Sequence, residues 1–134
     1  MKKIALEQIP RTYTNNGQHA EQTARFTLTG KIEKADNRPH TFGGDIGNLQ
    51  VKSARATVCK GTDLRKYLSE DGATMYGYVI NDFSAMYIMN KIEYIEMVLE
   101  FATVTHDSKK NGGMTKLRLR YETPTMIEWL ESRL

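Results

Sequence analysis

The chain of 134 residues has one cysteine, Cys59, so it cannot close a disulfide within itself. That points to a reducing, cytoplasmic compartment. No apolar run approaches the roughly 20 residues needed to cross a bilayer. The first ten residues, Met-Lys-Lys-Ile-Ala-Leu-Glu-Gln-Ile-Pro, carry basic residues but not the sustained apolar stretch of a secretory leader. The histidines, His19, His40 and His106, are scattered without ligand spacing or a cysteine partner, which argues against a zinc site. No Gly-Lys-Ser/Thr sequence follows the glycines, so a phosphate-cradling P-loop is excluded. Cys59 has no histidine nearby in sequence and reads as a packing residue at a strand end rather than a nucleophile. There is no repeat, linker or low-complexity tract, and residues 1–134 read as a single domain.

What the chain does contain is an apolar fraction of 40% in periodic segments, enough for one core. The formal net charge of +3 is mild, and its distribution says more than its sum. One basic stretch holds Lys52, Arg55, Lys60, Arg65 and Lys66, and a second holds Lys109, Lys110, Lys116, Arg118 and Arg120. Acids gather instead at Glu93, Glu96, Glu100 and near the C-terminus. Such an arrangement permits a polyanionic partner.

Residues 1–14 show no clear pattern, and Pro10 would interrupt a helix there. Asn15 and Asn16 can cap a helix running to Thr29, with Gly30 as its stop and Ala20, Ala24 and Leu28 as its apolar stripe. Glu21 borders that stripe. Residues 31–42 read as a short strand and a loop, Leu49–Val58 as a strand, and Thr62–Leu68 as a short helix. Met75–Ile80 and Ala85–Met89 predict a hairpin joined through Asn81-Asp82-Phe83-Ser84. Asn90 with Glu93 forms a capping-box signature for a helix whose buried face would be Ile92, Ile95, Leu99 and Ala102. Residues Lys116–Tyr121 alternate, with Leu117, Leu119 and Tyr121 expected inward and Lys116, Arg118 and Arg120 outward. Thr123-Pro124 opens a last helix carrying Met126, Ile127 and Leu130. Tyr76, Tyr78, Tyr87, Tyr94 and Trp129 are expected in the core. The sum is an α/β or α+β domain.

The most informative segment is Gly43–Val58, which reads Gly-Gly-Asp-Ile-Gly-Asn-Leu-Gln-Val-Lys-Ser-Ala-Arg-Ala-Thr-Val. In a strand, Gln50 and Lys52 share one face, and Leu49 and Val51 fill the other. A half-buried lysine beside an amide and an aspartate is expensive unless these groups are paired or hold an ion. Each residue also has a plainer role open to it. Glu21 and Arg25 can form a helix-surface pair, Gly44-Asp45 can be a turn, and Gln50 and Lys52 can be the wet face of a strand.

In chain order, Glu21 on a helix, Asp45 at a strand start and Gln50-Val51-Lys52 together resemble the PD-(D/E)xK nuclease superfamily, over a core from about Gly17 to Ile80. Gln50 stands where the family usually has an acid, and the interval from Asp45 to Gln50 is short; Glu33 or Asp36 are alternative acids. The resemblance implies an α/β fold with a restriction endonuclease-like core, in which a mixed central β-sheet is flanked by helices. It also implies a metal-dependent DNA endonuclease of restriction, resolvase or mobile-element type. Catalytic residues would be Glu21, Asp45, Gln50 and Lys52, with Mg²⁺ or Mn²⁺ held by oxygens of Asp45, Gln50 and Val51. Ser53, Arg55, Lys60, Lys109, Lys110 and Arg118 would contact the phosphate backbone. A homodimer is expected, because two copies of one site cut two strands. The alternatives are a non-catalytic nucleic-acid-binding member of the same fold, and a protein-interaction module using the Met- and Tyr-rich segment Met75–Met97.

Overall fold

Alternating apolar side chains and β-branched or aromatic residues place the strands; asparagine and threonine caps place the helices. The computed structural model describes residues 1–11, 15–32, 46–60, 72–106 and 115–134. Within them the chain runs β1 (Lys2–Ala5), α1 (Asn16–Thr29), β2 (Leu49–Ser53), β3 (Thr57–Lys60), β4 (Met75–Val79), β5 (Ala85–Asn90), α2 (Lys91–Phe101), β6 (Thr103–His106), β7 (Thr115–Arg118) and α3 (Pro124–Glu131). The expected strand or loop at 31–42 and the helix at Thr62–Leu68 fall largely or wholly outside the described residues.

Four strands form a mixed sheet in the order β1-β5-β4-β2, in which only the β4–β2 pair is parallel. Three more form an antiparallel sheet in the order β3-β7-β6. The architecture is therefore α/β, with helices on both faces of the four-stranded sheet. Under α1 lie Leu6, Ala20, Ala24, Leu49, Val51, Val79 and Met86. Across the sheet, Tyr76, Tyr78, Tyr87 and Met89 pack with Tyr94, Met97 and Val98 of α2 and with Met126 and Leu130 of α3. Val58, Cys59 and Leu119 join this second core from the small sheet. Gly77 leaves room on the α1 face for the Met86 side chain, which would have to shift if a Cβ stood there.

The caps are as the sequence predicts. Asn15 Oδ1 accepts from Gly17 N at 2.8 Å, and Gly30 ends α1 at φ 73°. Asn90 Oδ1 accepts from Glu93 N at 2.8 Å while Glu93 Oε1 accepts from Asn90 N at 3.0 Å. Thr123 Oγ1 accepts from Met126 N, with Pro124 at the first helical position.

Several expectations are corrected. The N-terminal segment carries a strand, β1, paired with β5. The strand expected over Leu49–Val58 is two strands split by a turn, in which Ala56 N donates to Ser53 O and Arg55 takes φ 63°. On α2 the buried residues are Tyr94, Met97 and Val98, whereas Ile92 and Leu99 are 70% and 74% exposed. The apolar arc of the helix is broader than the face it can bury, with Glu93, Glu96 and Glu100 on the remaining side, and the stacking of Tyr94 on Tyr76, with centroids 4.1 Å apart, selects the part that is buried. Tyr121 and Leu28 are exposed, not inward. Tyr121 lies beyond the end of β7 at Arg118, so strand alternation no longer applies to it. Trp129 is half-buried, edge-on to Phe101 and under the Arg133 guanidinium.

Candidate nucleic-acid interface

The sequence Leu-Gln-Val-Lys-Ser forms β2 because its alternation matches the pleat. Leu49, Val51 and Ser53 are buried, with Leu49 and Val51 in the core beneath α1; Gln50 and Lys52, half-buried, project to the opposite face. Their register partners on β4 are Tyr76 and Tyr78, which belong to the core on that side. The Lys52 ammonium donates to the Thr57 carbonyl at 3.2 Å, folding across the turn that leads from β2 to β3. Beside it on β4, the Tyr78 hydroxyl donates to Glu122 Oε2 at 2.7 Å, and Asn81 N donates to Glu122 Oε1. Burial first, and then the Glu122 carboxylate, push the Tyr78 phenol far above its usual range, so it stays a donor.

The turn next to Lys52 carries Arg55 in the left-handed region, a conformation that non-glycine residues rarely adopt. Such backbone persists where the surroundings hold it. Here Leu119 N donates to Ala56 O at 3.0 Å, and Arg118 Nη1 donates to Arg55 O at 3.3 Å. Arg118 pairs with Thr57 on one side and with Thr103 on the other. The result is a groove of about 440 Å³ lined by Arg55, Thr103, Thr105, Arg118, Arg120 and Tyr121. Among the described residues no carboxylate forms an ion pair with any of its three arginines. In the groove wall, Thr105 Oγ1 is buried with no hydrogen-bond partner among the described residues.

Of the residues expected at the site, the structure places Gln50 and Lys52 on one face and brings Arg55 and Arg118 together, with Lys52 bonded to Thr57, the register partner of Arg118. Val51 and Ser53 lie with their side chains buried. Glu21 sits on α1, whose Ala20 and Ala24 pack on the Leu49/Val51 face, opposite Gln50 and Lys52. Its carboxylate pairs with Arg25 Nη2 at 3.2 Å. Asp45, the alternatives Glu33 and Asp36, and the loop lysines Lys109 and Lys110 lie outside the described residues, as does the Lys60 side chain at the end of β3. Among the described residues no three His, Cys, Asp or Glu side chains gather as a metal-ligating group. The described donors for a hard divalent ion are the neutral Gln50 amide and the Val51 carbonyl, which are insufficient alone because Mg²⁺ sites are built on carboxylates.

The sequence reading did not foresee that β6 would set Thr103 and Thr105 beside the arginines, nor that Tyr121 would turn outward. The alternation of Arg118 and Arg120 about buried Leu119 was the available signal; the strand pairing that completes the groove is non-local. Among the described residues no helix is long and apolar enough to cross a membrane. No family model matches the chain, and neither the curated proteins nor the solved structures compared with it gave a match.

Proposed function

We propose that the protein is a metal-dependent endonuclease that hydrolyses DNA phosphodiester bonds on a restriction endonuclease-like core, in a restriction, resolvase or mobile-element role. The observation that carries this reading is the hydrogen bond from Lys52 to the carbonyl of Thr57, the residue whose register partner is the groove arginine Arg118. In this reading a phosphate chain seated on Arg55 and Arg118 continues across the β2–β3 turn towards Lys52. The arginines give affinity and position without choosing sequence. Lys52 stabilises the negative charge that develops on the attacked phosphate, or orients the attacking water. In this reading Asp45, the Gln50 amide oxygen and the Val51 carbonyl would hold Mg²⁺ or Mn²⁺, and the ion would supply further charge stabilisation and a more acidic water. Glutamine in place of an acid removes a negative charge, so the metal is held weakly. Metal-dependent nicking of supercoiled plasmid or of branched DNA, abolished by chelation, supports the proposal; intact substrate of both kinds refutes it. A homodimer belongs to the same reading, and light scattering should give twice the chain mass of 15.3 kDa.

A second reading has its own observation. Gln50, where the resembled family has an acid, favours a nucleic-acid-binding member of that fold without catalysis. Gln50→Glu separates the two: a working enzyme keeps or gains activity and binds metal more tightly, and a scaffold stays inactive.

A further inference from the structure

The groove has a neighbour. A second recess, of about 270 Å³, is lined by Glu100, Phe101, Ala102, Thr123 and Met126, and it shares Thr103, Arg120 and Tyr121 with the first. The two together lie in the size range of sites for small organic ligands. Arg55, Arg118 and Arg120 line the first recess, whereas the second sets Phe101, Ala102 and Met126 beside Thr123, Arg120 and the exposed Glu100 carboxylate. Tyr121, 49% exposed, stands where they meet. A large exposed aromatic ring among arginines has little to gain from folding, because it forgoes burial.

We infer that these joined recesses hold one unpaired nucleotide of a single-stranded or branched nucleic acid, with its phosphate on Arg55, Arg118 and Arg120 and its base on Tyr121. The arginines bind the phosphate as a charge-assisted cluster. Tyr121 offers a π-face, which suits any base, and the Glu100 carboxylate accepts from a base N–H group while repelling phosphate from that end. A continuous duplex keeps its bases stacked inside and presents only its backbone, so it can use the arginines but not Tyr121. The groove is tied to the strand that carries the candidate catalytic lysine: Lys52 donates to the carbonyl of Thr57, the register partner of Arg118. This inference rests on the nucleic-acid part of the proposed function but on neither cleavage nor metal.

The test is fluorescence anisotropy in EDTA, with a labelled thymidine oligonucleotide and a blunt duplex of the same length as probes. The wild type should bind the single strand more tightly than the duplex. Tyr121→Leu should weaken single-strand binding at least about fivefold, the lower end of base-stacking effects, with little change on duplex; Tyr121→Phe should restore it. Arg120→Gln should weaken both probes and reduce the steepness of the salt dependence by about one unit. Because Tyr121 and Arg120 are exposed, the variants should fold, and coincident thermal unfolding curves check this. Equal loss on both probes for Tyr121→Leu, no loss on either, or no wild-type preference for single strand overturns the inference. Binding as expected without cleavage under any metal would instead refute the nuclease reading alone.

Discussion

The hydrogen bond from Tyr78 to Glu122 should be a measurable fastening of the sheet that carries the candidate site. Tyr78 is 1% exposed, its hydroxyl lies 2.7 Å from Glu122 Oε2, and the other carboxylate oxygen accepts from Asn81 N. A hydrogen bond to a charged group contributes about 1.5–3 kcal/mol, discounted here because half-buried Glu122 recovers some hydration when the bond is broken. Tyr78→Phe should therefore cost about 1–2 kcal/mol. Glu122→Ala should cost more, about 2–3 kcal/mol, since it leaves a buried hydroxyl unpaired and removes the acceptor for Asn81 N–H. Once the phenol is gone, Glu122→Ala has less to break, so the double variant should fall short of the sum by about 1–2 kcal/mol. Urea unfolding followed by the single tryptophan, Trp129, measures all four corners of the cycle. In a thermal scan Glu122→Ala should lower Tm by about 10 °C, taking roughly 3–5 °C per kcal/mol for a chain of this size. A coupling below about 0.3 kcal/mol would show that this bond does not fasten the strand, and would refute the reasoning.

Further predictions concern α1, α2 and the metal chemistry. Burial first, and then nearby Arg11, lower the His19 pKa below its usual 6.5, so the folded state prefers the neutral imidazole. The stability this gives is complete above pH 6.5 and is lost as the pH falls through 6.5 towards the folded-state pKa; His19→Gln should flatten a stability–pH profile over that window. Asn90→Ala removes half of the reciprocal cap on α2 and should cost about 1–2 kcal/mol in urea unfolding, while Asn90→Asp, which keeps the acceptor, should change stability by less than about 0.5 kcal/mol. Gln50→Glu should tighten Mn²⁺ binding in calorimetry, and unchanged affinity would remove Gln50 from the proposed ligand set.

Local signals carried much of the fold. Asn15, Gly30, Asn90 with Glu93, and Thr123-Pro124 could be read as helix ends because each acts on its own backbone. The hairpin of β4 and β5 was legible from two apolar runs around a polar turn. Three features escaped for physical reasons. Strand β1 is an exposed edge with lysines at positions 2 and 3, and it has no apolar alternation to read. On α2, Ile92 and Leu99 compete with Tyr94, Met97 and Val98 for the core, and only the partner Tyr76 decides between them. The break after Ser53 depends on a left-handed Arg55, a residue type that does not advertise that conformation. At the candidate site, Gln50 and Lys52 followed from strand periodicity. The meeting of Arg55 with Arg118, Arg120 and Tyr121 depended on pairing between segments about sixty residues apart.

The central claim is that Lys52 works beside the arginine groove in cutting DNA. It is tested most directly by incubating supercoiled plasmid with wild type and with Lys52→Ala, in Mg²⁺ or Mn²⁺ and with chelator. The account predicts metal-dependent nicking and linearisation by the wild type, and loss of both in a folded variant that still binds DNA. Equal cleavage by the two proteins would contradict it.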